Sequence, residues 1–220
     1  MAYQIPIRNR LLRPIMRLTF RLLLRLLSPI TITGRHNIPK NGPYIAAINH
    51  VSLYEAPFIL AFWPTQMEVM GAVEVWSKPG QNILARMYGG LQVHRGEYDR
   101  KVIELAISVL ESGKPLMLAP EGGRSHTPGM RPAQTGVAYL ADKTGLPVIP
   151  VGIVGTTDDY ASLAFSFKRP PLEMHIGQPL RLPPITVKGS ERRQALQANT
   201  DFLMRNLATL LPPEYRGVYK

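Results

Sequence analysis

His50 and Glu55 are the two side chains in this sequence whose types and spacing best suit catalysis. They lie in the segment 49–55, which reads NHVSLYE, with four residues between them. A neutral imidazole can take a proton from a hydroxyl group, and a nearby carboxylate can fix its tautomer and stabilise the imidazolium that forms. The pair therefore indicates general base catalysis by His50, with Glu55 as the orienting carboxylate.

Two structural interpretations of the same segment remain open. Ser52 and Glu55 match the capping box, in which the glutamate bonds back to the backbone amide at the start of a helix. His50 could also be a buried histidine whose ring is satisfied by a backbone carbonyl group. Both interpretations are compatible with the local sequence.

The elements around this segment would place it where α/β proteins bind ligands. Residues 44–48, YIAAI, predict a short buried strand, and residues 56–62 begin an apolar helix. His50 would then follow the strand and Glu55 would lie in the first turn of the helix. Ligands usually bind in that crevice, at the carboxyl ends of the strands.

The rest of the chain alternates apolar strands with amphipathic helices, which predicts an α/β fold. With 220 residues and no internal repeat, we expect a single domain with a substantial core. Further strands are predicted at 31–33, 67–73, 91–95, 116–118, 147–154 and 172–176, and further helices around 83–87, 102–110, 137–141 and 190–211. The Pro-rich stretches near residues 170 and 183 are predicted to be loops.

The N-terminal segment, residues 1–30, predicts a basic amphipathic helix. Five arginines spaced by three or four residues share one helical face, with an apolar face beside them. The arginines are Arg10, Arg13, Arg17, Arg21 and Arg25, and the apolar residues include Leu11, Ile15, Leu18, Leu22 and Leu26. This helix is too charged to span a bilayer, and Pro14 is expected in its first turn. We expect it to lie on a membrane surface with its arginines toward anionic headgroups; packing on the protein core is the alternative.

Whole-chain charge and composition favour an anionic partner. The formal net charge is +11, and Glu55 is the first acidic residue in the chain. The absence of cysteine excludes a disulfide scaffold, a thiol nucleophile and a Cys-ligated metal. No zinc helix, Walker loop, nucleophile elbow or nucleic-acid recognition motif is present, so neither a metal nor a nucleic-acid partner is expected.

Other polar residues fall at predicted strand ends. Arg95 precedes a glycine turn and could grip a phosphate group bidentately. In residues 120–125, PEGGRS, Gly122 and Gly123 allow a close backbone approach to a ligand, and Arg124 adds donors. Glu121 could bind there or could hold the loop by accepting backbone amides. Residues 148–153 carry no polar side chain and indicate a core strand or an apolar pocket wall.

Four of these segments together resemble the four sequence blocks of the 1-acylglycerol-3-phosphate acyltransferase (lysophosphatidate acyltransferase) family. They are Asn49-His50 with the carboxylate of Glu55, residues 93–96 (VHRG), residues 120–125 (PEGGRS) and residues 148–152 (VIPVG). They occur in the order of the family and at about its spacing. The closing residues 211–219, LPPEYRGVY, also look like a common ending there. The similarity runs from about residue 31 to the C-terminus.

The resemblance implies a fold, a reaction and roles for particular residues. The fold would be a single domain, residues 31–220, with a mixed sheet flanked by helices, as in glycerol-3-phosphate acyltransferases. His50 would deprotonate the hydroxyl group of a lysophospholipid, whose oxygen attacks the thioester of acyl-CoA or acyl carrier protein without an acyl-enzyme. Glu55 would orient His50. The acceptor phosphate would be held by Arg95, Glu121, Gly122, Gly123 and Arg124. No cofactor would be needed, and the protein would sit at the cytoplasmic face of a membrane, peripheral or monotopic.

Departures from the family pattern leave alternative functions open. The family has Asp where this chain has Glu55, and Ala119 and Gly123 replace the usual Phe and Thr of the third block. These changes keep open a different lysolipid or glycolipid acceptor, and a lipid-binding relative without catalysis. A lipid hydrolase and a basic nucleic-acid binder are the remaining alternatives.

Overall fold

The computed structural model describes residues 3–93 and 100–220. It has a seven-stranded sheet with helices on both faces, which confirms the predicted single-domain α/β architecture. The strands are β1 (Ile30–Thr33), β2 (Ile45–Ile48), β3 (Glu68–Ala72), β4 (Leu91–Val93), β5 (Leu116–Leu118), β6 (Val148–Val154) and β7 (Leu172–Ile176). The helices are α1 (Ile7–Leu27), α2 (Glu55–Phe62), α3 (Gln81–Tyr88), α4 (Arg100–Glu111), α5 (Gly136–Thr144), α6 (Tyr160–Phe165) and α7 (Gly189–Ala208).

The sheet is mixed, and its direction changes between β6 and β7. The strand order is β1-β7-β6-β2-β5-β3-β4. Strands β2 to β6 are parallel to one another, whereas β7 is antiparallel to β6 and β1 is parallel to β7. The carboxyl ends of the five parallel strands and the first residues of β1 and β7 therefore lie at the same edge of the sheet, which we call the upper edge.

Apolar side chains on the two faces of the sheet form two separate cores. One core joins Leu24, Leu27, Phe58 and Ile149 and lies under α1, α2 and α6. The other joins residues of α4, α5 and α7 to the opposite face of the strands. All four residues of β2 are buried, because a central parallel strand is covered on both faces.

Helix α1 lies on the protein with three of its arginines turned inward, although the sequence predicted that they would face outward. Arg13 is fully buried, and Arg17 and Arg21 donate hydrogen bonds to backbone carbonyl groups at the end of α2. The other arginines of α1, Arg8, Arg10 and Arg25, are exposed. These inward contacts satisfy carbonyl oxygens that the last turn of a helix leaves without partners.

The outward face of α1 is apolar. Six residues on it, each between 57% and 78% exposed, form what we call the α1 stripe: Ile7, Leu11, Ile15, Leu18, Leu22 and Leu26. An exposed row of this length is unusual for a soluble surface and marks an interaction site. The sequence-based expectation that this helix has a basic and an apolar side was correct, but the side that faces outward is the apolar one.

A buried ion pair fixes the first half of α1. The guanidinium of Arg13 donates to both carboxylate oxygens of Glu68, at 2.7 and 2.6 Å, and its Nε donates to the Tyr88 carbonyl oxygen at 2.8 Å. Tyr3 donates to Glu68 at 2.7 Å. Burial lowers the pKa of Arg13, but its bonds to Glu68 and the charge of that carboxylate outweigh burial and raise the pKa overall. Each nitrogen of the Arg13 guanidinium therefore has a hydrogen-bond partner inside the protein.

Pro14 lies inside α1 and not in its first turn, because the helix begins seven residues earlier, at Ile7. An interior proline removes one helical hydrogen bond. The side chain of Asn9 offsets this loss by donating to the carbonyl oxygens of Arg86 and Met87, at 2.7 and 2.8 Å. Together with Arg13, it holds the turns before Pro14 against α3.

No helix within residues 3–93 and 100–220 combines the length and the hydropathy needed to cross a bilayer.

Candidate active site

His50 follows β2 at the upper edge of the sheet, and Glu55 begins α2, as the sequence predicts. The Nδ1 atom of His50 lies 2.9 Å from Oε2 of Glu55. The His50 side chain is 23% exposed, whereas that of Glu55 is fully buried. A longer side chain than the family's aspartate therefore reaches the imidazole while remaining shielded from water.

Glu55 also makes the backbone contact of the capping box that the sequence left as an alternative, although the residue before α2 is Tyr54, whose side chain makes no capping hydrogen bond. Its Oε1 atom accepts the backbone N–H of Ser52 at 2.9 Å, and the hydroxyl of Ser52 accepts the backbone N–H of Tyr54 at 3.1 Å. One carboxylate oxygen holds the turn and the other holds the imidazole. The two interpretations are compatible, because they use different atoms of the same side chain.

This arrangement selects one protonation pattern for His50. An ionised carboxylate only accepts hydrogen bonds, so Nδ1 of the neutral ring carries the proton that points to Glu55. Nε2 is then the unprotonated nitrogen, and its lone pair is available to a substrate hydroxyl group. The geometry leaves one imidazole nitrogen held by the carboxylate and the other free to accept a proton.

Thr156 is a member of this network that sequence reasoning missed. Its hydroxyl donates to Oε1 of Glu55 at 2.6 Å, and the residue is fully buried. It lies just after β6, the strand next to β2. The only signal in the sequence is its place after a predicted core strand, where the upper edge of the sheet brings residues distant in sequence together.

Glu121 holds its loop by accepting backbone amides, which is one of the two roles that the sequence left open; its part in phosphate binding stays a prediction. Its two carboxylate oxygens accept the backbone N–H groups of His50, at 2.8 Å, and Arg131, at 2.7 Å. Burial raises the pKa of Glu121, although these two amide bonds oppose the change. Both oxygens are occupied by backbone donors, so Glu121 fixes the position of His50 relative to the 121–131 loop.

Gly122 and Arg124 lie in the same cavity as His50 and Glu55, whereas Gly123 is buried. Gly122 has a φ of +66°, a conformation that favours glycine. Arg124 is half-buried, and within the described residues its side chain has no ion-pair partner. It is thus a cation in the same cavity as His50, suited to an anionic group. Arg95 falls outside the described residues.

Asn49 fixes the end of β2 to the neighbouring strand. Its side-chain amide donates to the carbonyl oxygen of Ile153 at 2.9 Å, and its Oδ1 accepts the N–H of the same residue at 2.7 Å. Residues 148–154 form β6, a buried strand that pairs with β2 and β7. The fourth block is therefore a core strand that supports the site, and it does not line the cavity.

A mostly apolar cavity of about 510 Å³ extends from His50 to helix α1. Its lining includes His50, Glu55 and Arg124, and also other charged residues such as Arg17 and Lys78. Apolar side chains of several elements line it as well, among them Met16, Phe20, Leu60, Val69, Trp76 and Leu84. This volume is typical of small-molecule sites, which combine apolar walls with a few placed polar groups.

No group of three or more His, Cys, Asp or Glu residues suited to a metal ion occurs in the described parts of the chain.

Comparison with known proteins agrees with this architecture. The family model described as Acyltransferase matches residues 29–154. Human 1-acyl-sn-glycerol-3-phosphate acyltransferase alpha is 22% identical over 73% of this chain and 56% of its own length. The 1-acyl-sn-glycerol-3-phosphate acyltransferase of Borreliella burgdorferi is 26% identical over 59% of this chain and 52% of its own.

A solved structure has the same fold. The crystal structure of the 1-acyl-sn-glycerophosphate (LPA) acyltransferase PlsC from Thermotoga maritima superposes with a TM-score of 0.62 at 27% identity, covering 89% of this chain and 79% of that one. The shared fold and the family-model match define this chain as an α/β protein of the acyltransferase class. The chain belongs to the Acyltransferase family, since the family model matches more than half of it. It spans slightly more than half the length of the curated relatives cited above.

Proposed function

We propose that this protein is an O-acyltransferase that moves a fatty acyl group from acyl-CoA or acyl carrier protein to the hydroxyl of a lysophospholipid such as 1-acylglycerol-3-phosphate. The observation that carries the proposal is the His50–Glu55 pair, with its 2.9 Å contact, in the lining of a mostly apolar cavity. The names of the relatives, all 1-acylglycerol-3-phosphate acyltransferases, support the choice of acceptor.

The proposed reaction is a direct transfer. Nε2 of His50 takes the proton of the acceptor hydroxyl as its oxygen attacks the thioester carbonyl carbon. The tetrahedral intermediate then collapses, breaking the carbon–sulfur bond. The imidazolium returns its proton to the departing thiolate, so the products are an ester and a free thiol. Glu55 stabilises the imidazolium between these two steps.

The remaining groups of the cavity have roles in binding. Arg124 would hold the phosphate of the acceptor with charge-assisted hydrogen bonds. The apolar part between α1, α2, β3 and α3 would receive the acyl chain and exclude water from the thioester. A hydrolase needs water at the same place, so the apolar lining favours transfer over hydrolysis.

The α1 stripe supports a proposed location on a membrane surface, at its cytoplasmic face. Both the acceptor and the product of the proposed reaction are lipids, and α1 contributes Met16 and Phe20 to the cavity. The stripe would insert among the acyl chains while the exposed Arg10 and Arg25 meet anionic headgroups. This reverses the sequence-based expectation for the other three arginines but keeps the helix at the interface.

Thiol release from acyl-CoA and from acyl carrier protein, measured with a panel of lysolipids, tests the proposal. We expect acceptor-dependent release that falls by about 10²–10⁴-fold in His50→Ala, the usual contribution of a general base. Glu104→Ala, on the exposed face of α4, is the matched control. Release that does not require an acceptor would indicate a hydrolase. Lipid binding without release from either donor would indicate a non-catalytic relative.

A further inference from the structure

The segment after α6 exposes two aromatic and two basic side chains on five consecutive residues. Residues 165–169, which we call the aromatic segment, read FSFKR, and all five are exposed. Phe165 is 65% exposed and Phe167 is 83% exposed, more than any other aromatic side chain among the exposed apolar residues. Within the described residues, neither Lys168 nor Arg169 has an ion-pair partner. Packing against the protein core therefore does not explain why this segment carries two aromatic and two basic side chains.

The backbone of the segment is strained. Helix α6 ends in a Schellman motif: Phe167 N–H donates to the Ala164 carbonyl oxygen at 3.1 Å, and Lys168 N–H donates to that of Leu163 at 3.0 Å. This motif requires a left-handed residue at the position of Phe167, whose φ is +58°. Such a conformation is disfavoured for a bulky residue.

Two other helices of this chain end with a glycine in the left-handed conformation. Helices α3 and α5 end on Gly89 and Gly145, both left-handed. At α6 a phenylalanine occupies the equivalent conformation and Arg169, two residues later, has a φ of +47°. A strained, solvent-exposed aromatic residue where glycine would fit better points to a role outside the fold itself.

The segment lies at the active-site edge of the sheet, beside the end of α1. The first residue of β7, Leu172, donates to the carbonyl oxygen of Pro29 at 3.0 Å, and the hydroxyl groups of Ser28 and Tyr160 are 2.8 Å apart. Tyr160 also packs against Tyr54, with ring centroids 5.2 Å apart, next to Glu55. The residues on both sides of the aromatic segment are therefore tied to residues 28–29, directly after α1, and Tyr160 also contacts the turn before Glu55.

We propose that residues 165–169 form a second membrane contact, in which Phe165 and Phe167 enter the interface of an anionic bilayer while Lys168 and Arg169 bind its headgroups. Aromatic rings favour the lipid interface, and each basic residue gains energy near an anionic surface. This inference rests on the proposed membrane location. With α1 as the first contact, a second one at the upper edge holds the mouth of the His50 site against the lipid surface that supplies the acceptor.

Phe167→Gly gives a test in which membrane affinity and stability move in opposite directions. Vesicles of equal parts phosphatidylglycerol and phosphatidylcholine serve as the probe, and binding is measured by cosedimentation. We expect affinity to fall by about tenfold, the usual effect of losing one buried aromatic side chain. The urea unfolding midpoint should rise or stay the same, because glycine relieves the left-handed strain. Phe202→Ser, an exposed phenylalanine on α7, is the control that should leave both quantities unchanged.

A site-specific probe tests insertion directly. Since the chain has no cysteine, Ser166→Cys can carry a single environment-sensitive fluorophore. Its emission should shift to the blue on vesicle addition, while the same label at Ser190→Cys, on α7, should not respond. Unaltered affinity in Phe167→Gly together with a silent label at residue 166 would overturn the second contact.

Two further outcomes separate this inference from the proposed function. If the wild-type protein ignores vesicles altogether, the membrane location and the second contact both fall. If Phe167→Gly binds vesicles normally but loses only activity with acyl carrier protein, the segment binds that acidic donor and the membrane contact is wrong.

Discussion

At the scale of single residues, Glu55 decides how the site works. Its buried carboxylate accepts three hydrogen bonds, from His50, Ser52 and Thr156. An aspartate at this position would end one methylene shorter, so the longer chain here is matched by the position of its three donors. The network gives the substitution of the family residue a structural explanation.

Glu55→Gln is expected to remove most activity and leave the fold intact. The amide oxygen can still accept from Ser52 and Thr156, but the amide nitrogen would then donate to Nδ1 of His50. The imidazole proton moves to Nε2, where a general base needs its lone pair. We expect kcat to fall by about 10²–10⁴-fold, the scale of general base catalysis, and the unfolding midpoint to stay within a few degrees of wild type. Equal activity of the variant and the wild type would contradict the orienting role.

Thr156 is expected to act on catalysis through Glu55. Thr156→Val keeps the shape of the side chain but removes the hydroxyl that donates to the carboxylate, whereas Thr156→Ser keeps it. Hydrogen bonds to charged groups contribute about 1.5–3 kcal/mol. Thr156→Val should therefore lower kcat by roughly tenfold or more, whereas Thr156→Ser should keep most of the wild-type kcat. Parallel losses in both variants would indicate packing alone.

At the scale of elements, the sequence predicted the order of strands and helices well and their orientation poorly. Apolar periodicity located β2, β5, β6, β7 and α7 within a few residues, because each buries a continuous face. The same periodicity also predicted the basic side and the apolar side of α1. Which side of α1 faces the core depends on buried acceptors, Glu68 and the carbonyl groups at the end of α2, that no local pattern shows.

The Arg13–Glu68 pair is expected to dominate the stability of the N-terminal region. Arg13→Met leaves the carboxylate of Glu68 buried without its partner, which costs about 3–5 kcal/mol in the free energy of unfolding. The double variant Arg13→Met with Glu68→Gln should lose less than Arg13→Met alone. Urea unfolding of the wild type, the two single variants and the double variant completes a thermodynamic cycle, and purely additive effects would refute the coupling.

Substitutions on the α1 stripe are expected to weaken membrane binding and to leave the stability of the fold nearly unchanged. Leu11→Ser, Leu18→Ser and Leu22→Ser together remove apolar area that is already exposed, so the unfolding midpoint should change little. Affinity for anionic vesicles should fall by at least tenfold, since each leucine contributes hydrophobic free energy when it enters the bilayer. Cosedimentation measures this change. Unchanged binding would show that α1 does not insert into the membrane interface.

At the scale of the whole molecule, the upper edge of the sheet gathers the site from distant parts of the chain. His50, Glu121 and Thr156 lie on three separate loops, and their contacts follow from strand order, which the sequence alone did not reveal. The sequence did predict that His50, Glu55 and Arg124 lie near one another, because motif spacing marks residues at neighbouring strand ends. It did not reveal the contacts of Thr156 and Glu121, because their partners are backbone or buried groups that follow other strands.

The net charge of +11 predicts a characteristic salt dependence of membrane binding. Raising the ionic strength from ~0.1 M to ~1 M shortens the Debye length from about 10 Å to about 3 Å and screens attraction between exposed cations and anionic lipid. Binding to phosphatidylglycerol vesicles should therefore weaken strongly but keep a residual part due to the α1 stripe. Complete loss of binding at high salt would mean that the stripe does not insert.

The pairing of β1 with β7 also has a consequence for how the protein is made. Ile30 pairs with Leu172, so the strand that follows α1 finds its partner only after about 140 further residues have been synthesised. At ~5–20 residues per second, that interval lasts roughly 7–28 seconds. Throughout it, the last turns of α1 lack their final neighbour while the apolar stripe is already complete. A nearby bilayer would shelter the nascent helix during this wait, so early membrane contact would protect the growing chain from aggregation.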